Sequence, residues 1–253
     1  MFTYYLFYVI FKHIEKNGDG MIEFINFSKS YGEKKAVDDL SFKVESGDIC
    51  AFVGPNGAGK TTTLKSACGI LDFDSGDILV DGLSIKTNPL ECKRIMAYLP
   101  DNPDLYEFLK GIDYLNFICD IYEVNDRKEL IKKYSDMFEL TGFLGNTINT
   151  YSHGMKQKLA IISALIHRPK LLLLDEPFVG LDPVSSHNLK EVMKELTKDG
   201  VAILFSTHVL EVAEKLCNKV AVIKKGKLVV FDSMKKVIKD KSLEDLFMEK
   251  VHE

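Results

Sequence analysis

Apolar and polar residues follow several distinct periods along this chain, and the changes of period mark its elements. Leu40-Ser41-Phe42-Lys43-Val44 switches character at every residue, which predicts a strand with one buried face. Met21-Ile22-Glu23-Phe24-Ile25-Asn26-Phe27 opens as another strand. Ile49–Val53, Leu171–Leu174 and Val201–Phe205 are apolar without a break, as strands are when both faces of a parallel sheet are covered. Ile78–Val80 and Ile95–Leu99 are short strand candidates, separated from the earlier part of the chain by the punctuation of Ser75-Gly76-Asp77. Lys219–Lys224 and Lys227–Phe231 flank Lys225-Gly226 and read as a hairpin.

Between Asp104 and Arg168 the period lengthens to that of a helix. Tyr114, Leu115, Phe117, Ile118, Ile121 and Tyr122 predict one apolar face, and Leu130, Ile131, Tyr134, Met137, Phe138 and Leu140 a second. Packing is the plain account of both. Leu159 to Ile166 is a third helix, about Ser185–Lys198 a fourth, and two short amphipathic segments close the chain. The result is an α/β chain carrying a helical insert over about 104–168.

Composition narrows the class without changing that picture. The chain has 253 residues, 46% hydrophobic and 28% charged, the profile of a folded globular protein with ample core. A net charge of −4 offers no basic balance for nucleic acid, and none is expected as a partner. Cys50, Cys68, Cys92, Cys119 and Cys217 are scattered without a C-x-x-C pair, which predicts buried free thiols in a reducing compartment. The run Phe2–Phe11 is apolar over ten residues; as a helix it would cover about 15 Å, against a hydrocarbon core of about 30 Å. Residues 1–20 therefore read as an appendage to a domain over 21–231, with a start assigned too early or a membrane-surface or partner-binding helix as its readings. Residues 232–253 read as a short helical tail.

Gly54-Pro55-Asn56-Gly57-Ala58-Gly59-Lys60-Thr61 fits the pattern of a phosphate-binding loop. The buried strand before it and the helical periodicity from Thr61 and Thr62 onward supply the context that pattern needs. Glycines let the backbone close around an anion with its N–H groups pointing inward. Lys60 adds a full positive charge for the β- and γ-phosphates, and the Thr61 hydroxyl is placed for Mg²⁺.

Two further stretches carry chemistry. Leu171–Leu174 ends in Asp175-Glu176-Pro177, and carboxylates at the end of a buried strand are costly unless they act on something. Asp175 suits Mg²⁺, and Glu176 suits orientation or deprotonation of an attacking water. Tyr151-Ser152-His153-Gly154-Met155-Lys156-Gln157 precedes a helix, with Ser152 as its N-cap. An ordinary capped helix and a second phosphate-binding helix end both fit that stretch.

These pieces, with Gly180-Leu181-Asp182-Pro183 and Ser206-Thr207-His208, fall in the order and spacing of an ABC transporter ATPase subunit. The resemblance spans about Ile22 to Phe231 and is nearest the branch serving ABC-2-type exporters, where Ser-x-Gly-Met-x-Gln and a terminal Ser-Leu-Glu-Asp-Leu-Phe are familiar. It implies a P-loop NTPase fold of the ABC type, with a mainly parallel core sheet, an N-terminal antiparallel β subdomain and a helical insert. It implies ATP and Mg²⁺ as ligands, Tyr31 stacked on adenine, and an ATPase without its own membrane span at the cytoplasmic face of the membrane. Two such subunits, alike or related, would pair head to tail and drive a separate integral membrane permease. Ser152, Gly154, Met155 and Gln157 of one would complete the site on Lys60 of the other, Asp182 would communicate across the interface, and His208 would contact the γ-phosphate.

Two departures stand out. His153 and Met155 replace the neighbours of the glycine kept as Gly154, where Leu-Ser-Gly-Gly-Gln is usual. Asp101 holds the place usually held by a glutamine, which puts a direct Mg²⁺ contact there in question and makes Asp101 the expected link to the membrane partner. A soluble ABC ATPase serving as an assembly scaffold is the alternative in the same family.

Overall fold

The computed structural model describes residues 20–239 and 241–252. The expectations for the appendage, including the run Phe2–Phe11, fall on residues 1–19 and lie outside the described residues. The first strand begins at Gly20.

Ten strands of the described residues form two sheets. β1 (Gly20–Tyr31), β2 (Lys34–Glu45), β4 (Ser75–Val80) and β5 (Leu83–Ser84) make an antiparallel sheet in the order β2-β1-β4-β5. β3 (Ile49–Val53), β6 (Met96–Leu99), β7 (Leu171–Asp175), β8 (Ala202–Thr207), β9 (Lys219–Lys224) and β10 (Lys227–Ser233) make the second, in the order β10-β9-β3-β8-β7-β6. Every pair from β9 to β6 is parallel, and β10 returns antiparallel on β9 across Lys225-Gly226.

The unbroken apolar runs have a direct explanation in this sheet. Successive side chains of a strand point to opposite faces. Ala51, Val53, Leu172, Leu174, Ile203 and Phe205 enter one core, while Cys50, Phe52, Leu171, Leu173, Ala202 and Leu204 enter another. The second core joins the two sheets: Phe42 of β2 stacks on Phe24 of β1 at 4.7 Å and meets Phe52 of β3 at 5.7 Å. Burial of each such side chain contributes roughly 1.5–3 kcal/mol.

Nine helices of the described residues cover the sheets. α1 (Lys60–Ala67) and α2 (Pro89–Ile95) lie in the first half. α3 (Gly111–Ile121), α4 (Arg127–Met137) and α5 (His153–Ile166) form the helical region. α6 (Pro183–Lys198), α7 (Leu210–Leu216), α8 (Met234–Val237) and α9 (Leu243–His252) follow. All five cysteines are buried and free. Among the described residues no helix is long and apolar enough to cross a membrane.

Several elements differ from the sequence reading. Ile95 ends α2 rather than opening a strand, because Pro89 at the first helical position pre-sets the turn and β6 starts only at Met96. Ser75-Gly76-Asp77 lies inside β4, where Asp77 pairs with Ile25 of β1; sheet pairing overrides its turn-like composition. α6 starts at Pro183, two residues before Ser185. The apolar face expected of α3 is only partly a packing face. Leu115 and Cys119 are buried, but Phe117 is 41% and Ile121 57% exposed. The other helical face packs as expected, with Leu130, Ile131, Tyr134, Phe138 and Leu140 all buried.

Candidate functional site

The loop between β3 and α1 is held open by its own backbone. Gly59 caps α1 at φ +111°, and a Cβ there would stand 2.5 Å from the Ala36 carbonyl oxygen, so no other residue fits. The Thr63 hydroxyl donates to the Gly59 carbonyl at 2.9 Å and tightens the first turn. Lys60 is buried, and its ammonium donates to the carbonyls of Gly54 at 2.7 Å and Pro55 at 3.3 Å. Burial pulls the Lys60 pKa down, and the carboxylates of Glu176 and Asp175 oppose that pull.

Those two carboxylates reach the loop through the strand order. β8 lies between β3 and β7, and the register sets Asp175 beside Ser206. The Ser206 hydroxyl donates to Asp175 Oδ1 at 2.5 Å and accepts the Glu176 N–H at 3.0 Å. Glu176 sits at φ +49°, a left-handed conformation that costs a residue with a Cβ roughly 1–2 kcal/mol. Asp175 is 2% exposed. Beyond β8, the Val209 N–H donates to Thr207 Oγ1 at 3.0 Å and turns the chain so that His208 Nδ1 lies 3.0 Å from Glu176 Oε2.

A cleft of about 330 Å³ opens over these groups. Tyr31, Asn56, Gly57, Gly59, Lys60, Thr61, Thr62, Asp101, Asp175 and Glu176 line it, together with Lys34 and Ala36. Gly54, Pro55 and Asn56 face a smaller neighbouring cavity shared with His208, and Ala58 is buried beneath the loop. Tyr31 is 51% exposed at the end of β1, with the Lys29 ammonium 5.4 Å from its ring centre. Its free face is available for stacking.

Ser152, Gly154, Met155, Gln157 and Asp182 do not line this cleft. Ser152 caps α5, accepting the Met155 N–H at 3.3 Å, as its position predicts. Gly154 is shaped by its own chain: a Cβ there would meet the Gly180 carbonyl oxygen at 2.7 Å, and the ring of His153 closes over Gly180. Asp182 caps α6, accepting the Ser185 N–H at 2.8 Å, and pairs with Lys158 of α5 at 2.7 Å. The Lys158 ammonium and the Ser185 N–H together hold its carboxyl well below the usual carboxylate range. Ser152 is exposed, but Gln157 on the next turn is fully buried, which points its amide inward rather than to the face that Ser152 presents.

Ser206 enters the sequence analysis only within Ser206-Thr207-His208, with no role of its own, and Lys34 does not enter it. A hydroxyl at the end of a buried strand is a usable signal for Ser206, but its partner is set by register. Nothing local marks Lys34.

Thr61, Asp175 and Asp101 bring hard oxygen donors to one cleft, and no ready-made group of three metal-ligating side chains exists among the described residues. That donor set fits Mg²⁺, which takes one or two protein oxygens and fills its sphere with water and phosphate.

Residues 37–179 match a protein-family model described as ABC transporter. The Bacillus subtilis protein "Uncharacterized ABC transporter ATP-binding protein YhcH" is 35% identical over 216 residues, covering 85% of this chain and 70% of the relative. The "Linearmycin resistance ATP-binding protein LnrL" of the same organism is 34% identical over 212 residues, covering 83% and 68%. A solved structure titled "Structure of ATP binding subunit of ABC transporter" superposes with a TM-score of 0.87 at 31% identity, covering 91% of this chain and 99% of its own.

Proposed function

The chain belongs to the ABC transporter family of ATP-binding proteins, and from that premise we propose that it hydrolyses ATP to drive a separate membrane permease. The observation that carries this reading is the linkage Asp175–Ser206–Glu176–His208 at the mouth of the glycine loop.

Each group has a role in that reaction. The loop N–H groups and Lys60 bind the phosphates, with the Lys60 ammonium exchanging its carbonyl partners for phosphate oxygens. Tyr31 stacks on the adenine. Thr61 and Asp175 would hold Mg²⁺, with Asp101 as a further oxygen donor; when bound, the ion neutralises charge on the β- and γ-phosphates. Glu176 orients the attacking water and takes its proton as the new P–O bond forms and the bond to ADP breaks. Its backbone is fixed by Ser206, so the carboxylate has little freedom to leave the cleft. His208 holds the Glu176 carboxylate and faces the γ-phosphate.

Ser152, Gly154 and Met155 serve the cleft of a second subunit, because within one chain they do not line it. The inward-facing Gln157 supports that helix start from behind. Asp182 ties the same helix start to the loop that follows Glu176, through Lys158 and the contact of Gly154 with Gly180. Closing two such faces on ATP gives a head-to-tail dimer.

The permease contact is read from the helical region. Tyr106 and Phe108 are 52% and 78% exposed, and Tyr106 meets Phe117 edge-on at 5.9 Å. An apolar aromatic group of this kind on a surface fits a partner. A permease docked there would hold the subunit at the cytoplasmic face of the membrane. Export is the direction supported by the resistance named for one relative.

Glu176→Gln tests the chemistry. The variant is expected to bind ATP, to turn over about 10²–10³-fold more slowly, and to accumulate as an ATP-bound dimer in size-exclusion chromatography. Wild-type turnover would overturn the assignment.

A further inference from the structure

We infer that the C-terminal helix α9 positions His208 through Phe247, so that the last element of the chain sets the rate of the site; this rests on the role of His208 proposed above.

α9 is built to stay docked. Ser242 and Asp245 form a reciprocal cap: the Asp245 N–H donates to Ser242 Oγ at 3.1 Å, and the Ser242 hydroxyl donates to Asp245 Oδ2 at 2.7 Å. The Ser242 hydroxyl and N–H hold the Asp245 carboxyl below its ordinary range. Leu243 is fully buried and Leu246 nearly so. The Leu243 N–H donates to Glu214 Oε2 of α7 at 3.0 Å. α7 starts at Leu210, two residues after His208, so α9 is fastened to the helix that follows the histidine.

Phe247 is the next residue on this docked helix, partly buried against the core and bordering the same cavity as His208. It walls a cavity of about 220 Å³ with His208, Leu210, Thr207 and the start of the glycine loop at Gly54 to Asn56. The His208 side chain needs such a wall. It is 61% exposed, hangs on a two-residue link between β8 and α7, and has Glu176 as its polar contact. An exposed ring on a short link exchanges rotamers on the ps–ns scale. An aromatic wall removes the rotamers that swing away from Glu176. Phe247 acts through the histidine; it is a positioning residue.

The test is steady-state ATPase on the full chain for Phe247→Ala, Phe247→Leu, His208→Ala and the double variant Phe247→Ala/His208→Ala. Phe247→Ala is expected to lower kcat about five- to tenfold with KM for ATP changed less than twofold. Phe247→Leu restores most of the loss. The double variant should turn over no more slowly than His208→Ala alone, since Phe247 acts only through the histidine. Asp245→Ala, which loosens α9 without touching the cavity, should lower kcat in the same direction and keeps the test open if Phe247→Ala does not fold. Wild-type turnover in Phe247→Ala, or losses that multiply in the double variant, would overturn the inference while leaving the reading of His208 intact. An unchanged kcat in His208→Ala would instead remove the premise.

Discussion

The nucleotide cleft and the helical region treat their buried polar groups in opposite ways. At the cleft, Asp175, Ser206 and Lys60 are buried and each is hydrogen-bonded within the chain. In the helical region, Ser135 Oγ, both amide atoms of Gln157 and Nδ1 of His167 are buried with no hydrogen-bond partner in the protein; near the cleft only Ser66 Oγ, in the last turn of α1, shares that state among the described residues. Tyr98, whose hydroxyl is also unpartnered, stands at the border, on the strand that leads to Asp101. A satisfied network is rigid and positions reacting groups before substrate arrives. Unsatisfied buried groups each cost roughly 1–3 kcal/mol, so a region that carries them is easier to rearrange. The lesson is a division of labour within one chain. The cleft holds its geometry, and the helical region, with its exposed aromatic group, is the part suited to move when a partner docks.

The largest expected effect separates the two binding faces. Lys60→Ala removes a buried, hydrogen-bonded charge and should weaken ATP binding about 10²-fold or more, measured by calorimetry on the full chain. Ser152→Ala should leave that affinity within about twofold, while lowering stability by about 1 kcal/mol through loss of the α5 cap. It should also abolish the ATP-bound dimer in the Glu176→Gln background. Loss of single-chain affinity in Ser152→Ala would break the comparison at its root.

The next effect is a pH dependence confined to the helical side. His167 stacks on Tyr122 with ring centres 3.8 Å apart, and burial pushes its pKa down to about 4. The folded state therefore favours the neutral ring. Its contribution is whole above the unfolded value near 6.5 and is lost as pH falls toward about 4, because the unfolded chain takes up the proton first. Between pH 7 and 4 the wild type should lose about 3 kcal/mol more stability than His167→Phe, which stacks without a proton to bind. Urea unfolding at both pH values measures the difference. Parallel curves for the two proteins would show that the buried imidazole is hydrated or partnered in solution.

The smallest effect concerns the join between the regions. Asp101 lines the cleft at the end of the link from β6 toward the helical region. Asp101→Ala should weaken Mg-ATP binding only a few-fold, since Thr61 and Asp175 keep the ion, and reduce permease-stimulated turnover about tenfold, as expected for a group that couples two sites with about 1.4 kcal/mol. Unchanged stimulated turnover would mean the two regions communicate by another route.

Much of this was legible in the residues. The glycine loop is a local pattern, and its flanking strand and helix are local too. Continuous apolar runs marked β3, β7 and β8 because both faces of those strands are covered. The Ser152 cap needs only its own neighbours. The exposed Phe117 and Ile121 were not legible, since periodicity reports an apolar face and not what covers it. Nor was β4 at Ser75-Gly76-Asp77, where pairing with β1 outweighs local turn preference.

What the sequence by itself determined is the set of chemical groups and the elements that carry them: an anion loop with Lys60, two acids closing a buried strand, and a histidine closing another. What only the tertiary structure decided is which of these meet. Ser206 reaches Asp175 because β8 lies beside β7 in one register, and a shift of one residue would turn the hydroxyl to the other face. Phe247 comes to share a cavity with His208 because Leu243 and Leu246 are buried and the Leu243 N–H is bonded to Glu214 of α7, far along the chain from the histidine. Local preference acts over a few residues, whereas these contacts follow from how distant apolar faces bury one another.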